Sequence, residues 1–139
     1  MQSEQTGRCL CGAFQYRFKA DAVLSFNCHC RDCQRATGSA FASVFAVPKN
    51  SLTMSGDYRF FAKRGESGAE VSRGFCPNCG SRAISTTEKL PDHFLVYGTS
   101  LDDPSWHKPA MDSWTASAQP WDCMDPTLPK YERSRPKPT

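Results

Sequence analysis

The sequence predicts an all-β domain, built mainly from antiparallel strands with little helix. Apolar and polar residues alternate over short stretches, turn-forming residues separate those stretches, and no long helical period is evident. The 139 residues are the size of one domain. We assign residues 1–128 to it and expect residues 129–139, which are rich in proline and charge, to form a flexible tail.

The predicted strands are short and come in the following order. Phe14, Tyr16 and Phe18 alternate with polar residues over the first strand, as in a half-buried sheet. The later strands are expected at residues 23–26, 40–47, 58–61, 71–75, 83–85 and 94–97. Two uses are open for their aromatic residues, a pocket lining or the core, and we expect mainly core for Phe41, Phe45, Phe60 and Phe61.

Helical structure is predicted at only two places. Residues Arg31–Thr37 form one or two turns, and Gly38 is a suitable C-terminal stop because glycine tolerates the left-handed conformation. The segment Asp102-Asp103-Pro104 predicts the start of a further short turn.

Two pairs of cysteines predict a structural metal site. Cys9-x-Cys11 and Cys76-x-x-Cys79 are far apart in sequence, and each pair is followed by a glycine that fits a tight turn. Together they supply four thiolates, which complete a tetrahedral zinc shell. Because such a site forms only in the folded chain, its binding free energy, on the order of 10 kcal/mol, adds to folding.

A third group, Cys28-x-Cys30-x-x-Cys33, offers three thiolates within six residues. Three ligands and one open position is the arrangement of a catalytic zinc. A redox use of Cys30 and Cys33 is the alternative, and His29 is a further candidate as a fourth ligand or general base, although its side chain should project away from its neighbours. Cys123 stands alone and is expected to be a free, partly buried thiol.

Composition and charge exclude several classes of protein. A net charge of +3 is too weak to indicate nucleic-acid binding. No apolar run approaches the roughly 18 residues that cross a membrane, and the N-terminus lacks a signal-peptide pattern, so we expect a cytoplasmic protein whose eight cysteines bind metal rather than form disulfides. The patterns of nucleobase deaminases, of His-Glu-x-x-His metalloproteases and of Cys₂His₂ fingers are missing.

The three cysteine segments resemble a known family. Residues 7–16 (GRCLCGAFQY), 28–38 (CHCRDCQRATG) and 75–81 (FCPNCGS) are similar to the glutathione-dependent formaldehyde-activating enzymes, a family that also includes the domain of centromere protein V. The resemblance extends from about residue 7 to residue 121. One departure is Asp112, which stands where many relatives carry a histidine.

The resemblance implies a compact antiparallel β fold with two zinc ions. The structural zinc is implied at Cys9, Cys11, Cys76 and Cys79, and the reactive zinc at Cys28, Cys30 and Cys33. It also implies a carbon–sulfur lyase type of reaction, in which glutathione as co-substrate and formaldehyde form S-hydroxymethylglutathione or the reverse.

Small-molecule substrates are therefore the expected partners, without nucleic acid or membrane. Arg31 and Arg35 follow the reactive cysteines closely and are candidates for binding the carboxylates of glutathione. Two alternatives stay open: a non-enzymatic zinc-binding scaffold or interaction module, and a thiol-redox or metal-handling protein.

Overall fold

The computed structural model describes residues 2–136, which form two β-sheets and one α-helix. The elements in chain order are β1 Gln5–Arg8, β2 Gln15–Phe18, β3 Leu24–Cys28, α1 Arg31–Thr37, β4 Ala42–Pro48, β5 Leu52–Ser55, β6 Arg59–Arg64, β7 Glu70–Phe75, β8 Ile84–Thr87, β9 His93–Tyr97 and β10 Asp112–Ser113. Short 3₁₀ turns lie at Lys49–Ser51, Gly98–Ser100, Pro104–Trp106 and Thr115–Ser117. The all-β prediction is confirmed.

The strands form a three-stranded sheet of order β1-β2-β5 and a seven-stranded sheet of order β10-β3-β4-β9-β8-β7-β6. Every pairing is antiparallel except that of β10 with β3. Because residues directly opposite each other in a pair share a face, this register assigns each side chain of the large sheet to one of two faces.

The inner face of the large sheet packs against the small sheet and forms the main core. Its largest fully buried side chains come from both sheets: Phe14, Phe18, Phe45, Val47, Ile84 and Val96. Burying one such side chain contributes roughly 1.5–3 kcal/mol, so the alternation seen in the sequence has a direct energetic cause. Tyr58 stacks on Phe14 at a centroid distance of 3.9 Å, and its hydroxyl donates to the Ile84 carbonyl.

The outer face carries a second, smaller apolar cluster. Its buried members are Cys28, Cys33, Ala42, Val44 and Tyr97. Helix α1 lies on this side, and its ends follow the sequence prediction. Cys30 is the N-cap and accepts from the Cys33 amide, while Gly38 adopts φ 70° and donates to the Gln34 carbonyl.

The C-terminal segment returns to the large sheet. Strand β10 adds to β3, and the amides of Trp114, Thr115 and Ala116 donate to carbonyls of residues 131–133. The first residues of the predicted tail therefore hydrogen-bond to the domain, and its last three residues, 137–139, lie outside the described residues. The boundary at residue 128 stays a prediction.

Some elements differ from the sequence prediction. Strands β1, β5 and β10 were not predicted, because none carries an extended apolar alternation. The assignment of Phe60 and Phe61 to the core was wrong: they are 44% and 66% exposed, since β6 is an edge strand whose residues are all exposed. Within residues 2–136, no helix is long and apolar enough to span a membrane.

Candidate functional site

The first cysteine cluster brings together the four sulfurs that the sequence paired. Cys9, Cys11, Cys76 and Cys79 have their Sγ atoms within 4.8 Å of one another. A zinc ion with four thiolates at about 2.3 Å requires sulfur–sulfur separations of about 3.8 Å. The Cys9–Cys11 and Cys11–Cys76 separations are 3.6 Å and 3.8 Å. The donor set and its dimensions therefore fit a tetrahedral zinc.

Two tight turns hold these sulfurs in place. Gly12 and Gly80 adopt φ of 80° and 75°, a conformation that favours glycine because it has no Cβ. The turn at Gly12 aims the amide of Phe14 at Cys9 Sγ, at 3.3 Å. Around Cys79, hydrogen bonding from Ser81 is the main cause that lowers the thiol pKa to about 5, which favours the thiolate that a metal needs.

The second cysteine cluster lies between the end of β3 and the first turn of α1. Cys28, Cys30 and Cys33 have their sulfurs within 4.8 Å of one another, on the outer face of the large sheet. Cys28 and Cys33 are buried and Cys30 is partly exposed. Within residues 2–136 no fourth Cys, His, Asp or Glu joins this group. Three thiolates without a fourth protein ligand suit a metal with an accessible coordination position.

Hydrogen bonding within the second cluster distributes its negative charge unevenly. Hydrogen bonds from Cys28 and Cys33 lower the pKa of Cys30 strongly, which favours its thiolate form. The hydrogen bond to Cys30 raises the pKa of Cys28. For Cys33, the contact with Cys28 acts to lower the pKa, but the contact with Cys30 and burial outweigh it and raise the pKa to about 11.

His29 does not point at the sulfurs. Its Nε2 lies 2.8 Å from Asp112 Oδ1 and its Nδ1 lies 2.6 Å from Asp122 Oδ2, and all three side chains are at most 1% exposed. Lys130 donates to Asp112 Oδ2 at 3.0 Å. Burial acts to raise the pKa of Asp112, but the hydrogen bonds from His29 and Lys130 lower it overall. Both ring nitrogens are engaged, so His29 ties the cysteine loop to the C-terminal segment.

Arg73 is a site residue that the sequence argument missed. Its Nη2 donates to Cys33 Sγ at 3.6 Å. The register places Arg73 opposite Phe61 on one side and Ser85 on the other, and the Ser85 hydroxyl donates to the hydroxyl of Tyr97. The only sign of Arg73 in the sequence is that an arginine lies within a predicted strand. Its contact with Cys33 depends on the register of the strands, which the sequence does not reveal.

Arg31 and Arg35 are both exposed and lie on α1. Together with Gln34, Gly38, Ser39 and Trp121, they line a shallow cavity of about 240 Å³. Nη1 of Arg31 donates to the side-chain oxygen of Gln34.

Cys123 is exposed rather than partly buried as expected, and it belongs to neither cluster. None of the eight cysteines forms a disulfide.

The sequence model of the glutathione-dependent formaldehyde-activating enzyme family matches residues 4–117. The chain belongs to this family. The match includes both cysteine clusters and ends shortly before Asp122, so the family assignment and the cluster geometry concern the same part of the chain.

Two similar proteins accompany the family match. One, from Podospora anserina, carries a provisional assignment as a glutathione-dependent formaldehyde-activating enzyme and is 25% identical over 117 residues, which are 81% of this chain and 54% of that protein. The chain thus spans about half the length of this curated relative. The other is a crystal structure of a Rhodobacter sphaeroides protein with a TM-score of 0.55 and 16% identity, covering 91% of this chain and 98% of that one. That likeness supports the fold alone.

Proposed function

We propose that this protein is a zinc-dependent enzyme of the carbon–sulfur lyase type that acts on glutathione adducts. The favoured reaction joins glutathione and formaldehyde to S-hydroxymethylglutathione or cleaves that adduct. The single observation that carries the proposal is the group of three cysteine sulfurs, which no fourth Cys, His, Asp or Glu joins within residues 2–136, in a chain that belongs to this family. The expected cytoplasmic location, where glutathione is abundant and thiols stay reduced, fits this chemistry and stays a prediction.

The two clusters have different roles in this proposal. Cys9, Cys11, Cys76 and Cys79 would hold a structural zinc, because four thiolates leave no position for substrate. Cys28, Cys30 and Cys33 would hold the second zinc, and this metal ion would supply a Lewis acid able to bind a thiolate or polarise a carbonyl oxygen.

The reaction itself needs little beyond correct placement. A carbon–sulfur bond forms between the glutathione sulfur and the formaldehyde carbon, and the thiol proton ends on the new hydroxyl oxygen. Binding both reactants in one orientation removes much of the entropic barrier of a bimolecular step. In this proposal the sulfurs and the half-buried Arg73 provide a fixed surface for the reactants, and Arg31 and Arg35, which line the cavity on α1, are the candidates for binding the carboxylates of glutathione.

The test is the rate of exchange among glutathione, formaldehyde and S-hydroxymethylglutathione, measured by exchange NMR. We expect the zinc-loaded wild type and Cys123→Ser, a control that removes an exposed thiol outside both clusters, to accelerate exchange equally. Cys33→Ser should keep the fold, lose the second zinc and show only the uncatalysed rate. If the wild type with two zinc ions does not accelerate exchange, this reaction is excluded and the non-enzymatic scaffold becomes the preferred function.

A further inference from the structure

Arg73 is the positive group that faces the second cysteine cluster from the sheet. It lies on β7, and the register puts its side chain on the outer face together with Ser85, Tyr97 and Cys28. Its guanidinium donates to Cys33 Sγ at 3.6 Å, and its side chain is half-buried. A guanidinium has five N–H donors, so most of them remain for another acceptor.

No acid neutralises Arg73 within residues 2–136. Each ion pair in this part of the chain uses another cation, for example Lys63 with Asp32 and Arg64 with Glu88. The single hydrogen bond that the guanidinium makes here is the one to Cys33. Its charge is therefore directed at the sulfur cluster.

The other arginines near the site are placed differently. Arg31 and Arg35 are exposed on α1 and line the cavity beside Trp121. Arg82 directs two of its nitrogens at backbone carbonyls, those of Ala36 and Gly74, and thereby fixes the end of α1 against the sheet. Among the described arginines, only Arg73 has a hydrogen bond to a cysteine sulfur of the cluster.

The charge of the cluster explains why a cation is needed at this position. A divalent metal with three thiolates has a net charge of −1, and an incoming thiolate raises the negative charge further. Like charges repel strongly where water is scarce, and an adjacent guanidinium offsets this repulsion. Without that charge, a thiolate would approach an already anionic centre.

We propose that Arg73 pairs with the substrate's thiolate at the second metal and makes this site selective for anionic sulfur ligands. Arg73 is a positioning and specificity-determining residue in this proposal, and the carboxylates of the substrate are left to other groups. The proposal rests on the proposed function only for the identity of the substrate, since thiolate binding is measurable without turnover.

The experiment follows binding rather than catalysis. Protein loaded with Co²⁺ is titrated with glutathione, and binding of the thiolate to the metal is followed by the change in the visible and near-ultraviolet absorption. The Arg73→Gln variant loses one charge-assisted hydrogen bond and should therefore bind glutathione about 10- to 100-fold more weakly than the wild type. Arg73→Lys, which keeps the charge, should recover part of the affinity. Arg59→Gln is the matched control, because Arg59 is exposed on neighbouring β6 and the net charge changes equally.

S-methylglutathione separates the sulfur from the carboxylates, since it keeps both carboxylates and cannot form a thiolate. We expect its affinity, measured by calorimetry, to be the same for the wild type and Arg73→Gln. If Arg73→Gln weakens the binding of glutathione and of S-methylglutathione equally, the sulfur assignment is overturned. It is also overturned if metal-loaded Arg73→Gln binds glutathione as tightly as the wild type does. If Arg73→Gln fails to fold, Arg73→Lys takes its place. The sulfur assignment would then be overturned if Arg73→Lys binds glutathione as tightly as the wild type does and the wild type binds S-methylglutathione as tightly as glutathione. Arg73-dependent thiolate binding without accelerated exchange would refute the proposed reaction and support the role of Arg73.

Discussion

The buried contact between His29 and Asp122 predicts a large loss of stability when the carboxylate is removed. His29 Nδ1 lies 2.6 Å from Asp122 Oδ2, and the two side chains are 0% and 1% exposed. Asp122→Ala leaves a polar ring nitrogen buried without its partner, and a buried polar group without a hydrogen bond costs about 1–3 kcal/mol. With an unfolding entropy of about 2.1 cal/mol/K per residue, this corresponds to a fall in Tm of roughly 3–10 °C.

The assay is thermal unfolding of the zinc-loaded protein, followed by circular dichroism at a fixed concentration of free zinc. Asp57→Ala is the control, because Asp57 is exposed between β5 and β6 and its loss should change the free energy of unfolding by less than about 0.5 kcal/mol. Zinc content is measured in both variants, and we expect two equivalents in each. A Tm of Asp122→Ala close to that of Asp57→Ala would refute the reasoning, since the contact would then contribute nothing to folding.

Three further predictions concern other parts of the fold. Cys79→Ser should lose one equivalent of zinc and lower the thermal stability of the whole domain, since structural zinc contributes on the order of 10 kcal/mol; unchanged unfolding would contradict the structural role. Gly74→Ala should lower the urea midpoint while Gly65→Ala should not, because a Cβ at Gly74 would collide with Tyr58 and the Ile84 carbonyl, whereas Gly65 has room. The pKa of Asp112 is lowered in the fold, so its contribution to stability is present above about pH 4 and is lost as the pH falls further. Asp112→Asn should therefore show a shallower loss of stability below pH 4 than wild type in acid titrations.

The cysteine clusters and helix α1 could be predicted because each depends on local chemistry. Two cysteine pairs, in which the cysteines are two or three positions apart and a glycine follows, predict metal binding more strongly than any other role. The stop at Gly38 follows from its freedom to adopt positive φ. Neither argument needs to know which strands are neighbours. The sulfurs of each cluster lie together and α1 ends at Gly38 as expected, while zinc binding stays a prediction.

Arg73, Asp122 and the exposure of Phe61 could not be predicted because they depend on strand order and register. Arg73 reaches Cys33 across 40 positions of sequence, and His29 meets Asp122 across 93. A shift of one residue in the register of β7 would turn Arg73 to the inner face, away from the sulfurs. Phe61 has the composition of a core residue, and only its position on an edge strand leaves it exposed.

Strand β7 and the turn that follows it join the two cysteine clusters. Arg73 faces Cys33, and three positions later Cys76 is a member of the four-sulfur group. Between them, Gly74 lies against Tyr58, and its carbonyl accepts from Arg82, whose Nε also donates to Ala36 at the end of α1. Because packed interiors resist small displacements, a metal held at the first cluster would fix the end of β7 and thereby the approach of Arg73 to Cys33. We therefore predict that loss of the four-cysteine site disturbs the geometry of the three-cysteine site as well as folding.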